Sequence, residues 1–138
     1  MPTIVPPSKV LVTGANGFLA AWIVQTLLKR GYSVRGVVRS EARSKYLCDR
    51  FRAEVEKGSL EFAIVPDMTI AGAFDDAAKG VNAIVHTATP VHLDADDPNG
   101  TKLSFLLYLG RSHYLSAELI EPAVKGTLGV LESAMNHA

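Results

Sequence analysis

The sequence predicts an α/β fold: an open parallel sheet of about four strands with helices packed on its faces. Three observations carry that prediction. Short, apolar, valine-rich runs alternate with helical patterns four times along the chain. Parallel neighbours need a crossover between them, and a helix is the usual one. A glycine-rich turn, Thr13 to Gly17, joins the first run to the first helical pattern. The third observation is composition: 138 residues, 48% of them hydrophobic, suffice for one domain with its own core.

The elements follow in order. Residues 1–7 hold three prolines and read as a flexible N-terminus, so the domain spans 8–138. Lys9 to Val12 is a buried strand. Gly17 to Arg30 places Phe18, Leu19, Trp22, Ile23, Thr26 and Leu27 at helical spacing, with Gly31 as the stop. Tyr32 to Val38 alternates as a second strand. Glu41 to Lys57 is an exposed amphipathic helix punctuated by Tyr46, Leu47, Phe51 and Val55. Leu60 to Val65 is the third strand, Ile70 to Ala78 a short helix, and Val81 to His86 the fourth strand. Asp94 to Ser116 follows neither period, so about 100–116 reads as an irregular insert. Ala117 to Ala138 is a long helix that Pro122 begins or kinks.

Charge and cysteine content exclude several classes. Fourteen basic residues balance fourteen acidic ones, against the basic surface that nucleic acid or an anionic membrane requires. No signal peptide is visible at the start, and the run Leu103 to Leu109 is too short to span a bilayer. The lone Cys48 forms no internal disulfide, which suits a reducing, cytoplasmic setting. The four histidines, His86, His92, His113 and His137, match no metal-binding spacing. Asp94, Asp96 and Asp97 read as a solvated acidic loop. No catalytic or metal site is expected from these groups.

The strongest motif is VLVTGANGFLA, Val10 to Ala20. Gly14 permits a tight turn after the strand. Gly17 lets a pyrophosphate approach the backbone at a helix N-terminus, where unpaired N–H groups favour anions. Ala20 is small enough for the helix to pack close to the strand. Thr13 and Asn16 are placed to brace the turn. Together these features specify a Rossmann-type dinucleotide site. No Gly-Lys-Ser/Thr follows, which excludes a P-loop. At the end of the second strand stands Arg39, where an NAD site would carry a carboxylate. A guanidinium there suits a 2′-phosphate instead, and Ser40, Arg43 and Lys45 follow at once. Each charge-assisted hydrogen bond is worth roughly 1.5–3 kcal/mol, so NADP(H) is the expected cofactor.

TGANGFLA, VVRS, VPDM, HTATPV and PAVKGTLGVLE, in that order, resemble the extended short-chain dehydrogenase/reductases. The resemblance is nearest to the dihydroflavonol 4-reductase-like branch and its fungal aldehyde and ketone reductases. It implies that Gly14, Gly17 and Ala20, with Asn16, Phe18 and Leu19, hold the pyrophosphate. It implies Arg39 and Lys45 at the 2′-phosphate, Asp67 at the adenine amino group, and Met68 packed on the adenine ring. Thr87, Ala88 and Thr89 would line the ribose and nicotinamide path, with Thr127 on the helix behind. The family's catalytic pair is Tyr-x-x-x-Lys, in which lysine lowers the tyrosine pKa. Here Tyr32, Tyr46, Tyr108 and Tyr114 are followed four residues on by Gly36, Arg50, Ser112 and Glu118.

A full family member is well over twice as long. The expectation is therefore an incomplete sheet, lacking the later strands and the substrate lobe. That makes the chain the NADP(H)-binding part of a carbonyl reductase, inactive alone, with a small carbonyl substrate only in the full-length parent. The alternatives are a non-catalytic dinucleotide-binding or regulatory protein, an NAD-dependent sugar epimerase or dehydratase relative, and a non-functional truncated product. Arg39 argues against the epimerase reading. The outer edge of the fourth strand, with Val81, Ala83, Ile84 and Val85, is expected to promote self-association.

Overall fold

A computed structural model describes residues 4–89 and 120–137. The expected insert at 100–116 lies outside them, as do His92, His113 and the acidic run Asp94 to Asp97. Four strands, β1 (Lys9–Thr13), β2 (Ser33–Val38), β3 (Leu60–Ile64) and β4 (Ala83–His86), form one sheet in the order β3-β2-β1-β4. Every pairing is parallel. Five helices are described: α1 (Phe18–Lys29), α2 (Glu41–Arg50), α3 (Arg52–Glu56), α4 (Asp75–Ala78) and α5 (Glu121–His137). The chain runs outward through β1, β2 and β3, then returns to the other side of β1 for β4. That reversal leaves a crevice between the carboxyl ends of β1 and β4, the place where open α/β sheets bind ligands. The register aligns those ends, with Thr13 opposite both Val37 and His86.

Alternation along the strands divides the core in two. Val10, Val12, Val34 and Val38 pack with Val24 of α1 and Leu47 of α2 on one face. Leu11 and Val37 pack with Phe74, Ala77 of α4 and Val130 of α5 on the other. Successive strand residues point to opposite faces, so one β1 strand supplies both clusters. Residues 4–7 have anchors: Ile4 packs against the first cluster, and its carbonyl accepts the Tyr32 hydroxyl at 3.1 Å.

Three predicted elements differ in extent. The helix expected over 41–57 breaks at Phe51, whose backbone leaves the helical region at φ −116°, ψ 38° while its ring stays buried. The short helix expected over 70–78 contracts to α4, because Gly72 adopts φ +72° and residues 68–74 turn. The fourth strand starts at Ala83. Asn82 precedes it and makes a two-way link to Lys9: its amide donates to the Lys9 carbonyl at 2.8 Å, and its Oδ1 accepts the Lys9 amide at 2.9 Å.

Polar ties hold the second face. Arg35 Nη1 donates to the Ala77 and Lys79 carbonyls, both at 2.7 Å, and its Nε to Glu61 at 2.6 Å. This satisfies carbonyls at the end of α4 that no further turn could bond. Ser133 of α5 donates to Asp75 of α4 at 2.6 Å. Pro122 sits in the first turn of α5, where a missing N–H costs nothing. Ile120, just before α5, and Val124, Leu128, Leu131 and Met135 on its outward side are exposed. Among the described residues no helix is long and apolar enough to cross a membrane.

Candidate functional site

A cleft of about 350 Å³ opens at the carboxyl ends of β1, β2 and β4. Of the residues the sequence singles out, it brings together Gly14, Asn16, Gly17, Arg39, Met68, Thr87, Ala88 and Thr89. Ala20 lies beneath it, buried against the sheet, while the Phe18 and Leu19 side chains are exposed. Lys45 is exposed on α2 and does not line the cleft. Arg43, two positions past the start of the same helix, does. Thr13, Val37, Val38, Val65 and Phe74 complete the wall.

The β1–α1 turn is built by backbone. Gly14 takes φ +62°, and a Cβ there would come within 3.0 Å of the Ala88 backbone. Only glycine lets the two loops abut. The Gly17 amide donates back to the Gly14 carbonyl at 2.8 Å, so it is not available to a ligand. The first helical bond runs from the Ala21 amide to the Gly17 carbonyl. The amides of Phe18, Leu19 and Ala20 precede it and have no carbonyl one turn back. No side chain caps this end, and its first turn holds no acidic residue. Three amides without an intrahelical carbonyl and the positive end of the helix dipole therefore lie at the start of α1, whose N-cap residue Gly17 lines the cleft.

Thr13, fully buried at the end of β1, organises the facing loop. Its hydroxyl oxygen accepts the Thr87 amide at 3.0 Å and the Ala88 amide at 3.1 Å. The same oxygen lies 2.8 Å from His86 Nδ1. With both lone pairs engaged, the hydroxyl proton points to Nδ1, which makes His86 the Nε2–H tautomer. Nε2 in turn faces Thr127 Oγ1 at 3.5 Å, whose own proton goes to the Ala123 carbonyl at 2.8 Å. Burial pushes the His86 pKa below its ordinary value, in keeping with a neutral ring. The sequence suggested that Thr13 braces its own turn; instead it ties β1 to the loop after β4. The signal available was a hydroxyl at the last position of a central strand.

Past β2 and β3 the cleft changes character. Asp67 Oδ1 accepts both the hydroxyl of Thr69, at 2.7 Å, and its amide, at 2.8 Å. Those bonds, aided by the Arg39 charge, hold the Asp67 carboxyl below the usual range. Asp67 is exposed beside the cleft with Oδ2 outside the Thr69 bonds, while the neighbouring Met68 is buried and lines it. Arg39 and Arg43 bring two guanidinium groups to this side. Among the described residues no group of three His, Cys, Asp or Glu side chains is arranged to hold a metal.

Known proteins resemble this chain in sequence and in fold. The model of the NAD dependent epimerase/dehydratase family matches residues 10–102. Ketoreductase CTB6 of Cercospora nicotianae is 39% identical over 132 residues, covering 92% of this chain and 32% of that protein. Tetraketide alpha-pyrone reductase 1 of Arabidopsis thaliana is 37% identical over 129 residues, covering 94% and 34%. The crystal structure of Gre2 from Candida albicans in complex with NADPH superposes with a TM-score of 0.72 at 32% identity, covering 95% of this chain and 34% of that one. The chain thus spans about a third of the length of the curated relatives it matches.

Proposed function

The chain belongs to the NAD dependent epimerase/dehydratase family, and from that premise we propose that its cleft binds NADP(H) as the cofactor part of a carbonyl reductase. The observation that carries this reading is one cleft lined by an uncapped helix start and by Arg39 and Arg43. A dinucleotide phosphate needs both. The amides of Phe18, Leu19 and Ala20 suit the pyrophosphate, and a guanidinium suits the 2′-phosphate by its planar fork. Arg39 stands where an epimerase using NAD would carry a carboxylate. The relative solved with NADPH lends support at 32% identity.

When bound, NADPH supplies a hydride for a carbonyl carbon. This chain's residues would do the holding. Gly14 and Ala88 keep side chains out of the phosphate path, with Asn16 and Gly17 on the same wall. Thr87, Ala88 and Thr89 offer small surfaces along the ribose and nicotinamide path. Asp67 offers a carboxylate oxygen to the adenine amino group. No tyrosine of the 138 residues is followed four positions on by lysine. We therefore assign the proton donor and the carbonyl pocket to parts of a longer protein. The same absence favours the second reading, a dinucleotide-binding module without chemistry of its own, for this chain in isolation.

Three further readings go with the proposal. Residues 8–138 act as one partial NADP-binding domain, with the stretch at about 100–116 as an insert. The balanced charge and the lone Cys48 suit a cytoplasmic protein with no nucleic-acid or membrane partner. The β4 edge, which pairs only with β1 among the described residues, is the surface for self-association.

Calorimetric titration of the 138-residue chain tests the cofactor assignment. NADPH should bind at least about tenfold more tightly than NADH, the worth of one charge-assisted contact. Arg39→Asp should remove or reverse that preference. Equal affinities in the parent would overturn it.

A further inference from the structure

Gly126 lies buried in α5, where the helix crosses the segment after β3. A Cβ placed on it would overlap Met68 Cε and stand 3.3 Å from Met68 Cγ and Sδ. One turn further, a Cβ on Gly129 would sit 3.9 Å from the Met68 carbonyl. The Met68 thioether is thus seated directly on the bare backbone of α5. Gly126 keeps ordinary helical geometry, so no left-handed backbone calls for glycine. Helix propensity ranks alanine above glycine at such a site. Space for Met68 is what glycine supplies.

The surroundings of Met68 decide where it would go without that space. On one side it packs with Val65, Phe74 and Val130 in the second core cluster. Interiors of this kind are close-packed and do not yield a methyl group's volume easily. On its other side Met68 lines the cleft. An unbranched thioether moves readily about its torsions, so a displaced Met68 turns into the open side. We infer that Gly126 is a positioning residue for the ligand: its missing Cβ lets Met68 withdraw, and that withdrawal sets the room for a planar adenine ring. The inference rests on the proposed NADP(H) reading and extends it to a residue on the far helix.

The test is a double-mutant cycle on the full 138-residue chain, titrated with adenosine 2′,5′-bisphosphate and with NADPH. Gly126→Ala should weaken both about tenfold. In a Met68→Ala background the same change should alter affinity less than about twofold, because no thioether remains to be displaced. An equal loss in both backgrounds, or no loss in the parent, overturns the inference and leaves the cofactor reading standing. A parent that binds neither ligand overturns the cofactor reading and this inference with it. If Gly126→Ala alone loses its fold, the Met68→Ala/Gly126→Ala pair must recover both fold and binding to the level of Met68→Ala. Failure to recover also overturns it.

Discussion

The side of the cleft at β1 and α1 and the side past β2 and β3 are made in different ways. The first is backbone. Gly14 and Gly17 shape a turn within a few residues, and the first three amides of α1 have no carbonyl one turn back. The second is assembled from side chains of separate elements: Arg39 after β2, Arg43 on α2, Met68 after β3, with Gly126 of α5 behind it. A backbone site tolerates almost any side chain that points away, as exposed Phe18 and Leu19 show, but no change at its glycines. A side-chain site can be tuned by one substitution at a time.

The sharpest way to break that contrast is Gly14→Val. A β-branched residue cannot take φ +62°, and its Cβ would meet the Ala88 backbone at 3.0 Å. Dinucleotide binding should fall below detection by calorimetry. A folded variant that binds like the parent would show that the turn is only a connection.

A smaller effect separates two basic residues on one helix. Arg43→Ala should weaken NADPH by up to about tenfold and leave NADH nearly unchanged, since an exposed contact to the 2′-phosphate is partly screened. Lys45→Ala should change neither by more than about twofold. Equal losses for the two variants would put both side chains at the phosphate. Arg43 and Lys45 are about 200° apart around a helix of 3.6 residues per turn, so one of them had to face away.

The smallest effect is a pH dependence on the backbone side. His86 is held below its ordinary pKa, so the unfolded chain takes up the proton first as pH falls. The stability it contributes is present above the ordinary histidine value, about 6.5, and is lost as pH drops through the folded value. Urea unfolding followed by the single tryptophan, Trp22, should show stability falling as pH drops below about 6.5. His86→Asn should flatten that slope. An unchanged slope would mean that other groups carry it.

The same contrast explains what could be read from the sequence. The succession of strands and helices and the glycine turn were legible because each rests on short-range pattern: alternation, a glycine after a strand, a helix after the glycine. The bend at Phe51 was not, because a continuous helical pattern does not reveal that its ring must turn into the core. Lys45 and Arg43 carry the same charge two residues apart, and only the packing of Ser44 and Leu47 against the sheet decides which one reaches the cleft. Thr13 bonding across to Thr87 and Ala88 joins residues 74 and 75 positions apart. Met68 on Gly126 is a contact of the same kind. Neither residue type announces such a partner.

Those long separations also set the order in which the molecule becomes competent. β1 and β2 can pair as soon as α1 has formed, since little chain lies between them. The joining of β1 to β4 closes a loop of more than 70 residues, linked by Thr13 and His86, which are 73 positions apart. Such closures are slow to form, although their entropy rises only gently with length. The cleft is complete only once β4 has joined β1, because Thr87, Ala88 and Thr89 form one of its walls. A ligand that spans the glycine turn and the loop after β4 binds only the closed form, and so draws the folding equilibrium toward it by mass action. During synthesis, a chain whose α5 has not yet emerged has the turn for a phosphate but no seat for Met68.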